Sequence, residues 1–175
     1  MPEATSDAEP ITHVRRRERA VDDDAWIRSY LEEAPFGVLA TEYDGQPFLT
    51  PLNFAYDEDS HAIYFHAART GRLFTNVAAN PRVCFNACRM GALISGPNAC
   101  AFDVEYDSVI VFGRAQVLDS SEDATHGLHL LVDKYSPHPR QAEDRKPFSP
   151  SDLARTAVYR LEIDAWSGKR NAVDS

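Results

Sequence analysis

The chain has 175 residues, a length that suits a single domain with a sizeable core. Its net charge of −9 and its pI near 5.1 disfavour nucleic acid and anionic membranes as partners. No apolar run approaches the roughly 18 residues of a membrane span, and the N-terminus has no apolar signal core. A cytoplasmic location is therefore expected, with reduced thiols at Cys84, Cys88 and Cys100, whose spacing fits no zinc site.

The N-terminal region predicts a disordered tail over residues 1–12 and a single domain over residues 13–175. The basic run at 14–19 is expected to pair with the aspartates at 22–24 or to stay solvated; a phosphate or nucleic-acid patch is the alternative. Residues 22–33 predict a helix, because Trp26, Ile27, Tyr30 and Leu31 share one apolar face. Pro35 ends this helix.

Six segments have the pattern of antiparallel strands: residues 36–41, 47–56, 62–65, 82–87, 106–118 and 157–164. Asp44-Gly45 is typical of a type I′ hairpin turn, Pro51 indicates an edge or a bulge, and Gly113 indicates a bulge in the longest strand. Residues 89–100 are read as a loop or a long hairpin turn. Helices are predicted over residues 70–79 and from Ser120 or Ser121 to about 135. Four prolines bracket a charged loop before the last strand, namely Pro137, Pro139, Pro147 and Pro150.

Five sequence blocks occur in the chain in this order: GVLAT, DGQP, TPLNFAY, AIYFHAARTGRL and NPRVCF. Their order and spacing resemble the flavin-nucleotide-binding split-barrel family typified by pyridoxamine 5′-phosphate oxidase. The closer likeness is to its smaller branch, which includes nitroimidazole-resistance proteins. The resemblance covers residues 13–172. It implies a mainly β fold with added helices, a six-stranded antiparallel split β-barrel, and flavin mononucleotide (FMN) bound in a homodimer interface.

Thr70 and Arg72 lie where a helix begins after the third strand, and a hydroxyl and a cation at a helix N-terminus can hold a phosphate. The resemblance places the family's phosphate ligands at this point. The common pattern of the small branch has a lysine at the position of Leu73, so either Arg69 or Arg72 must supply the charge. The alternative is that Thr70 only caps the helix and the arginines lie on the surface.

The resemblance also assigns residues to the flavin ring. The segment that would lie along the ring comprises Thr50, Pro51, Leu52 and Asn53. A strand broken by proline leaves backbone groups free to read the ring edge; a simple edge-strand proline is the alternative. Phe65 and His66 end the third strand, and His66 is the candidate catalytic residue, since an imidazole can donate to a ligand or carry a proton. A purely structural role for His66 is the alternative.

Further cofactor contacts are implied before the longest strand, at Ser108, and in the C-terminal tail. The tail residues are Trp166, Lys169 and Arg170, whose family counterparts often reach the flavin from the second subunit. An ordinary basic C-terminus is the alternative. His126 and His129 are expected to be a surface pair, and no metal site is expected.

The resemblance implies an FMN-binding oxidoreductase that passes reducing equivalents from a reduced nicotinamide to a small organic acceptor, such as a nitro-aromatic compound. One alternative is a non-catalytic flavin-binding or flavin-sensing module. Another is a split-barrel protein that binds haem or a deazaflavin instead. Pyridoxamine-phosphate oxidation itself is disfavoured, because the basic and aromatic residues that hold pyridoxal phosphate are not found. No GxSxG, Walker or GxGxxG motif is present, so the chain offers no support for acyl transfer, phosphoryl transfer or Rossmann chemistry.

Overall fold

A computed structural model describes residues 9–136 and 148–172. The strands are β1 Ala20–Val21, β2 Gly37–Tyr43, β3 Gln46–Leu52, β4 Phe54–Asp57, β5 Ala62–Ala68, β6 Arg82–Ile94, β7 Asp103–Val117 and β8 Thr156–Asn171. The helices are α1 Asp24–Glu33, α2 Arg72–Ala79, α3 Ser121–Tyr135 and α4 Pro150–Arg155. Most of the predicted N-terminal tail (residues 1–8), three of the loop prolines (Pro137, Pro139 and Pro147) and residues 173–175 lie outside the described residues.

The prediction of six strands was wrong, because the described residues form a sheet of eight. β1 has only two residues, too few to produce a periodic pattern. The segment predicted as one strand over residues 47–56 is two strands, because Asn53 interrupts it: β3 pairs with β2, whereas β4 pairs with β5. β6 also extends to Ile94 through a stretch predicted as loop. The outer half of β6 is exposed on both faces, so it shows no alternation.

The strands form one antiparallel sheet in the order β3-β2-β6-β7-β8-β5-β4, and β1 pairs with β8. The two edge strands, β3 and β4, follow each other in the chain and are joined by Asn53. The sheet is consistent with the split barrel of the resembled family. Its interior holds Leu39, Phe65 and Phe85, which are fully buried, and the rings of Phe65 and Tyr159 stack with centroids 4.8 Å apart.

Several local predictions are confirmed by the backbone. Asp44 and Gly45 have φ angles of 53° and 73°, as a type I′ turn requires. Pro51 lies on edge strand β3. The β7–β8 register shifts between Phe112 and Gly113, where a Cβ atom would lie 2.0 Å from the Glu162 carbonyl oxygen. Only glycine fits this bulge.

Helix α3 covers one side of the sheet, over β4, β5 and β8, and builds a second, smaller core. Gly127 allows the close approach, because a Cβ there would lie 2.8 Å from the Tyr64 ring and 3.0 Å from Val158. The C-terminal end of α3 therefore lies beside the interruption between β3 and β4. Within residues 9–136 and 148–172, no helix has the length and hydrophobicity needed to cross a membrane.

Candidate cofactor site

A cavity of about 730 Å³ opens between α3, the β3–β4 interruption and the end of β5. We call it the ring cavity. Its described lining is Thr50, Pro51, Leu52, Asn53, His66, Ala67, Leu73, Leu128, Leu131, Val132, Tyr135, Ser136 and Phe148. Five residues that the sequence assigned to the flavin therefore lie together, although they come from separate strands.

The walls of the ring cavity are mostly apolar, and its described lining includes no Asp, Glu, Lys or Arg. Leu52 and Leu73 approach from the sheet and from α2, while Leu128 and Leu131 approach from α3. Such a concave apolar site favours a small molecule that is largely apolar where it meets these walls.

Three polar groups lie on the walls and could orient a ligand. The Thr50 hydroxyl is buried and has no hydrogen-bond partner among the described residues. Asn53 lies between two strands and belongs to neither ladder. His66 is exposed on β5, on the opposite face from the buried Phe65. An unpartnered buried hydroxyl is costly, and a ligand donor or acceptor would satisfy it.

Tyr135, at the end of α3, fixes the interruption between the edge strands. The Phe54 N–H donates to the Tyr135 hydroxyl at 3.0 Å. The hydroxyl in turn lies 2.8 Å from the Pro35 carbonyl oxygen and 3.0 Å from that of Phe54, and it donates to one of them. Burial raises the pKa of Tyr135, so the hydroxyl stays protonated at neutral pH. The sequence did not predict this role of Tyr135; the available signal was the apolar spacing of Leu128, Leu131 and Tyr135 on the predicted helix.

Lys134 lies next to this anchor but outside the cavity lining. Its ammonium donates to the Leu31 carbonyl oxygen at 3.0 Å and lies 3.8 Å from the centre of the Phe54 ring. Burial lowers the pKa of Lys134 to about 8, and the nearby Glu32 opposes the shift. Lys134 therefore holds α3 against α1 through a hydrogen bond from an amine that loses its proton more readily than an ordinary lysine.

The family model described as pyridoxamine 5′-phosphate oxidase matches residues 23–170, which is most of the chain. The chain belongs to the pyridoxamine 5′-phosphate oxidase family. The split-barrel resemblance seen in the sequence is thereby confirmed. No curated protein matches the chain significantly in sequence.

Three solved structures illustrate the likeness. A flavocytochrome from Azotobacter vinelandii is 26% identical with a TM-score of 0.80, over 94% of this chain and 76% of that one. An FAD and haem binding protein from Mycobacterium smegmatis is 19% identical with a TM-score of 0.78, over 90% and 76%. A protein provisionally assigned to 5-nitroimidazole antibiotic resistance, from Bacteroides thetaiotaomicron, is 20% identical with a TM-score of 0.72, over 86% of each chain. The latter two likenesses concern the fold alone.

The predicted phosphate ligands, Thr70 with Arg69 or Arg72, lie beside the ring cavity and do not line it. Gly71, with φ of 96°, is the N-cap of α2, and no side chain caps this helix, so Thr70 is not the cap. The Arg72 guanidinium lies 5.9 Å from the centre of the Phe48 ring. Arg69 is half-buried, and its Nε has no partner among the described residues. Both arginines remain available to an anion at the start of α2.

The remaining predicted contacts lie away from the ring cavity. Phe65 is fully buried on the core face of β5, and the other four lie on β7 and β8. The Ser108 hydroxyl accepts from Asn86 Nδ2 at 3.0 Å, and Trp166 Nε1 donates to Asp24 Oδ1 at 2.8 Å. The Lys169 ammonium lies over the Tyr106 ring, and Arg170 pairs with Asp107. None of the four lines the cavity of its own chain, so their contact with a flavin stays a prediction.

The histidine pair on α3 separates into two environments. His126 is exposed and lies 3.7 Å from the Asp57 carboxylate, whereas His129 lies against the Phe148 ring at 5.3 Å between centroids. In the part of the chain that the structure describes, no group of three or more His, Cys, Asp or Glu side chains could hold a metal ion.

Proposed function

We propose that the ring cavity binds the isoalloxazine ring of FMN and that the protein is a flavin-dependent oxidoreductase. One observation carries this proposal. Thr50, Pro51, Leu52, Asn53 and His66, assigned to the flavin from sequence, line a single apolar cavity of about 730 Å³. Membership of the pyridoxamine 5′-phosphate oxidase family supports it as well.

The residues present fit a flavin. The apolar walls from Leu52 and Leu131 suit the dimethylbenzene end of the ring, and its pyrimidine edge requires donors and acceptors. The unpartnered Thr50 hydroxyl and the backbone at Asn53 could supply these at the sheet edge. Thr70, with Arg72 or Arg69, would hold the phosphate at the start of α2, beside Leu73 of the cavity wall.

His66 would perform the proton chemistry of the site. When bound, the flavin supplies electron transfer between a reduced nicotinamide and a small organic acceptor. The exposed His66 imidazole can carry a proton near neutral pH and donate it to an acceptor that enters the cavity. The aliphatic side chains of Leu128 and Val132 would keep bulk water from the opposite wall.

A homodimer would complete the site. Large apolar side chains are exposed near the tip of the β6–β7 hairpin: Met90, Leu93 and Phe102 are 71%, 76% and 60% exposed. Several large apolar side chains exposed on one hairpin are more typical of a protein interface than of a free surface. In the dimer, Trp166, Lys169 and Arg170 of one copy would approach the flavin of the other. Light scattering should give twice the chain mass, and Leu93→Asp should lower it towards the mass of one chain.

The test of the function combines binding with turnover. Purified protein is titrated with FMN, with binding followed by the visible absorption of the flavin, and then supplied with NADH or NADPH and a nitro-aromatic acceptor. We expect tight FMN binding and loss of nicotinamide absorbance that depends on the acceptor. Binding without turnover would indicate a flavin-sensing module, and no uptake of flavin would exclude the proposal.

Haem is a second candidate ligand. The observation that favours it is an exposed imidazole, that of His66, on the wall of an uncharged apolar cavity, in a chain 26% identical to a flavocytochrome. An imidazole is a common axial ligand of haem iron. Reconstitution with haemin should then give a sharp Soret band that His66→Ala shifts or abolishes. A broad, unshifted haemin spectrum would exclude haem, and uptake of a deazaflavin alone would identify the remaining alternative.

A further inference from the structure

A second pocket, of about 240 Å³, lies on the outer face of β7 and β8 beneath the N-terminal segment. We call it the basic pocket. Its lining includes four basic side chains, His13, Arg15, Arg16 and Lys169, and no Asp or Glu among the described residues. In a chain with a net charge of −9, a pocket whose charged lining residues are all basic concentrates positive potential at one place.

The backbone holds the arginine run over this face. β1 pairs with β8, with Ala20 opposite Lys169 and Val21 opposite Gly168. Arg19 forms an ion pair with Asp103 on β7. The arginine run is therefore anchored at its C-terminal end, and residues 13–16 lie beside Lys169 in the pocket lining.

The charges of the pocket are largely free for a ligand. Arg15 and Lys169 form no ion pair with the described residues, and the Lys169 ammonium lies 5.4 Å from the centre of the Tyr106 ring. Arg16 pairs with Glu18 at 2.7 Å, but both side chains are exposed, so solvent screens the pair and holds Arg16 only weakly. An anion in the pocket would thus meet two unpaired cations and a third that is weakly held.

The rest of the pocket is apolar or carries hydroxyl groups. Ile110 and Phe112 project from the outer face of β7 and are half-buried, with Val14 of the N-terminal segment nearby. Ser108 and Ser167 contribute hydroxyl groups to the same lining. An aromatic ring and aliphatic groups beside cations suit a ligand with a flat base and a phosphate chain.

We propose that the basic pocket binds the nucleoside diphosphate moiety of a dinucleotide, with Arg15 and Lys169 on the phosphates and Phe112 against the base. Two sources carry this group, the adenylate half of FAD and a reduced nicotinamide donor. Lys169 is also proposed to approach the flavin of the second copy, so the variants of the test leave Lys169 unchanged. Free ADP carries the same group as the two dinucleotides, so ADP binding tests the inference apart from the flavin in the ring cavity.

The experiment is calorimetric titration of ADP, pyrophosphate and adenosine into wild-type protein and into two charge variants. Arg15→Ala removes an unpaired cation of the pocket. Arg17→Ala removes the same charge two residues away, from a side chain that pairs with Asp22 at 3.0 Å and does not line the pocket. We expect ADP to bind more tightly than pyrophosphate or adenosine. Arg15→Ala should lower the ADP affinity at least tenfold, and Arg15→Lys should restore part of it. Arg17→Ala should change the ADP affinity less than twofold.

Repeating the Arg15→Ala comparison with FAD, FMN and NADH distinguishes the sources. A tenfold loss for FAD with FMN unchanged would assign the pocket to the flavin, and the same loss for NADH would assign it to the donor. The inference is overturned if wild-type protein does not bind ADP or binds pyrophosphate as tightly as ADP. It is also overturned if Arg17→Ala lowers the ADP affinity as much as Arg15→Ala does, or if Arg15→Ala changes the affinity for neither FAD nor NADH. FMN affinity, measured in the same series, tests the ring cavity separately.

Discussion

The ring cavity and the basic pocket differ in how the chain assembles them. The cavity is built from β3, β5, α2 and α3. Its described lining contains no Asp, Glu, Lys or Arg. The basic pocket joins a short N-terminal run to two neighbouring strands and is rich in cations. Binding in the first depends on burial and shape, and binding in the second on charge. The affinity for riboflavin, which has no phosphate, should therefore depend little on salt, whereas the affinity for ADP should depend on it strongly.

Arg72→Ala tests whether a phosphate site exists beside the ring cavity, separate from the basic pocket. We expect FMN affinity to fall by about 1.5–3 kcal/mol, because a charge-assisted hydrogen bond to phosphate is lost. Riboflavin, which lacks the phosphate, should bind unchanged. The measurement is paired titration of the two ligands.

Arg69→Ala is the matched variant for this prediction. If Arg69→Ala weakens FMN selectively and Arg72→Ala does not, the half-buried arginine holds the phosphate. Equal weakening of both ligands by Arg72→Ala would mean that this side chain is structural.

Tyr135→Phe tests whether the wall of the cavity is held by α3. The variant keeps the ring and removes the hydroxyl that joins Phe54 to the end of the helix. We expect the free energy of unfolding to fall by about 1–3 kcal/mol, since the Phe54 N–H loses its partner, and riboflavin affinity to fall with it. Denaturant unfolding measures the first effect and titration the second.

Tyr43→Phe, at a 44% exposed tyrosine, is the control and should change stability by less than about 0.5 kcal/mol. Wild-type stability in Tyr135→Phe would contradict the anchoring role.

His66 variants separate ligand contact from folding. His66 is exposed, so His66→Ala should change the free energy of unfolding by less than about 0.5 kcal/mol. It should weaken flavin binding by about 0.5–1.5 kcal/mol, as for one hydrogen bond, or slow flavin reoxidation. His66→Asn should keep more affinity than His66→Ala if the role is donation, and should still lose proton transfer. A large loss of stability with flavin affinity and turnover unchanged would mean that His66 is structural.

Lys134 is a half-buried cation beside the cavity, in contrast to the exposed Arg15 and Arg16 of the basic pocket. Its pKa is about 8 in the folded protein and near 10.5 in the unfolded chain, so between these values the unfolded chain holds more protons. Stability should therefore rise with pH across this window relative to Lys134→Met. We expect a relative gain of about 1 kcal/mol, reduced by the solvent that still reaches the amine. Unfolding of both proteins at pH 7.5 and 9.5 measures it; parallel profiles would show an unperturbed lysine.

The sequence predicted most of the local structure because its signals are local. Asp44-Gly45 specifies the turn, Gly113 the bulge and Ser120 the start of α3. It also identified the segment at Thr50 and the end of β5 at His66 as parts of one site. That step required the resemblance, since periodicity alone does not bring separate strands together.

The remaining features depend on long-range contacts. Tyr135 meets Phe54 across 81 positions of the chain; the apolar spacing of α3 turns Tyr135 towards the sheet but does not identify Phe54 as its partner. β1 forms because the backbone of Ala20 and Val21 pairs with the C-terminal part of β8, and a strand of two residues has no periodic pattern. Asn53 interrupts a segment that reads as continuous, because β3 and β4 pair with different partners.

Occupation of the ring cavity by the flavin ring is tested most directly with riboflavin, which has no phosphate. Val132 lines the cavity and is 36% exposed, so Val132→Trp should fill the cavity mouth without disturbing the core. Ser121→Trp, at the exposed start of the same helix, adds the same side chain away from the cavity. In a titration followed by flavin fluorescence, we predict that wild-type protein and Ser121→Trp bind riboflavin equally and that Val132→Trp loses at least tenfold in affinity. Wild-type affinity in Val132→Trp, with its fold intact by circular dichroism, would contradict a flavin ring in this cavity.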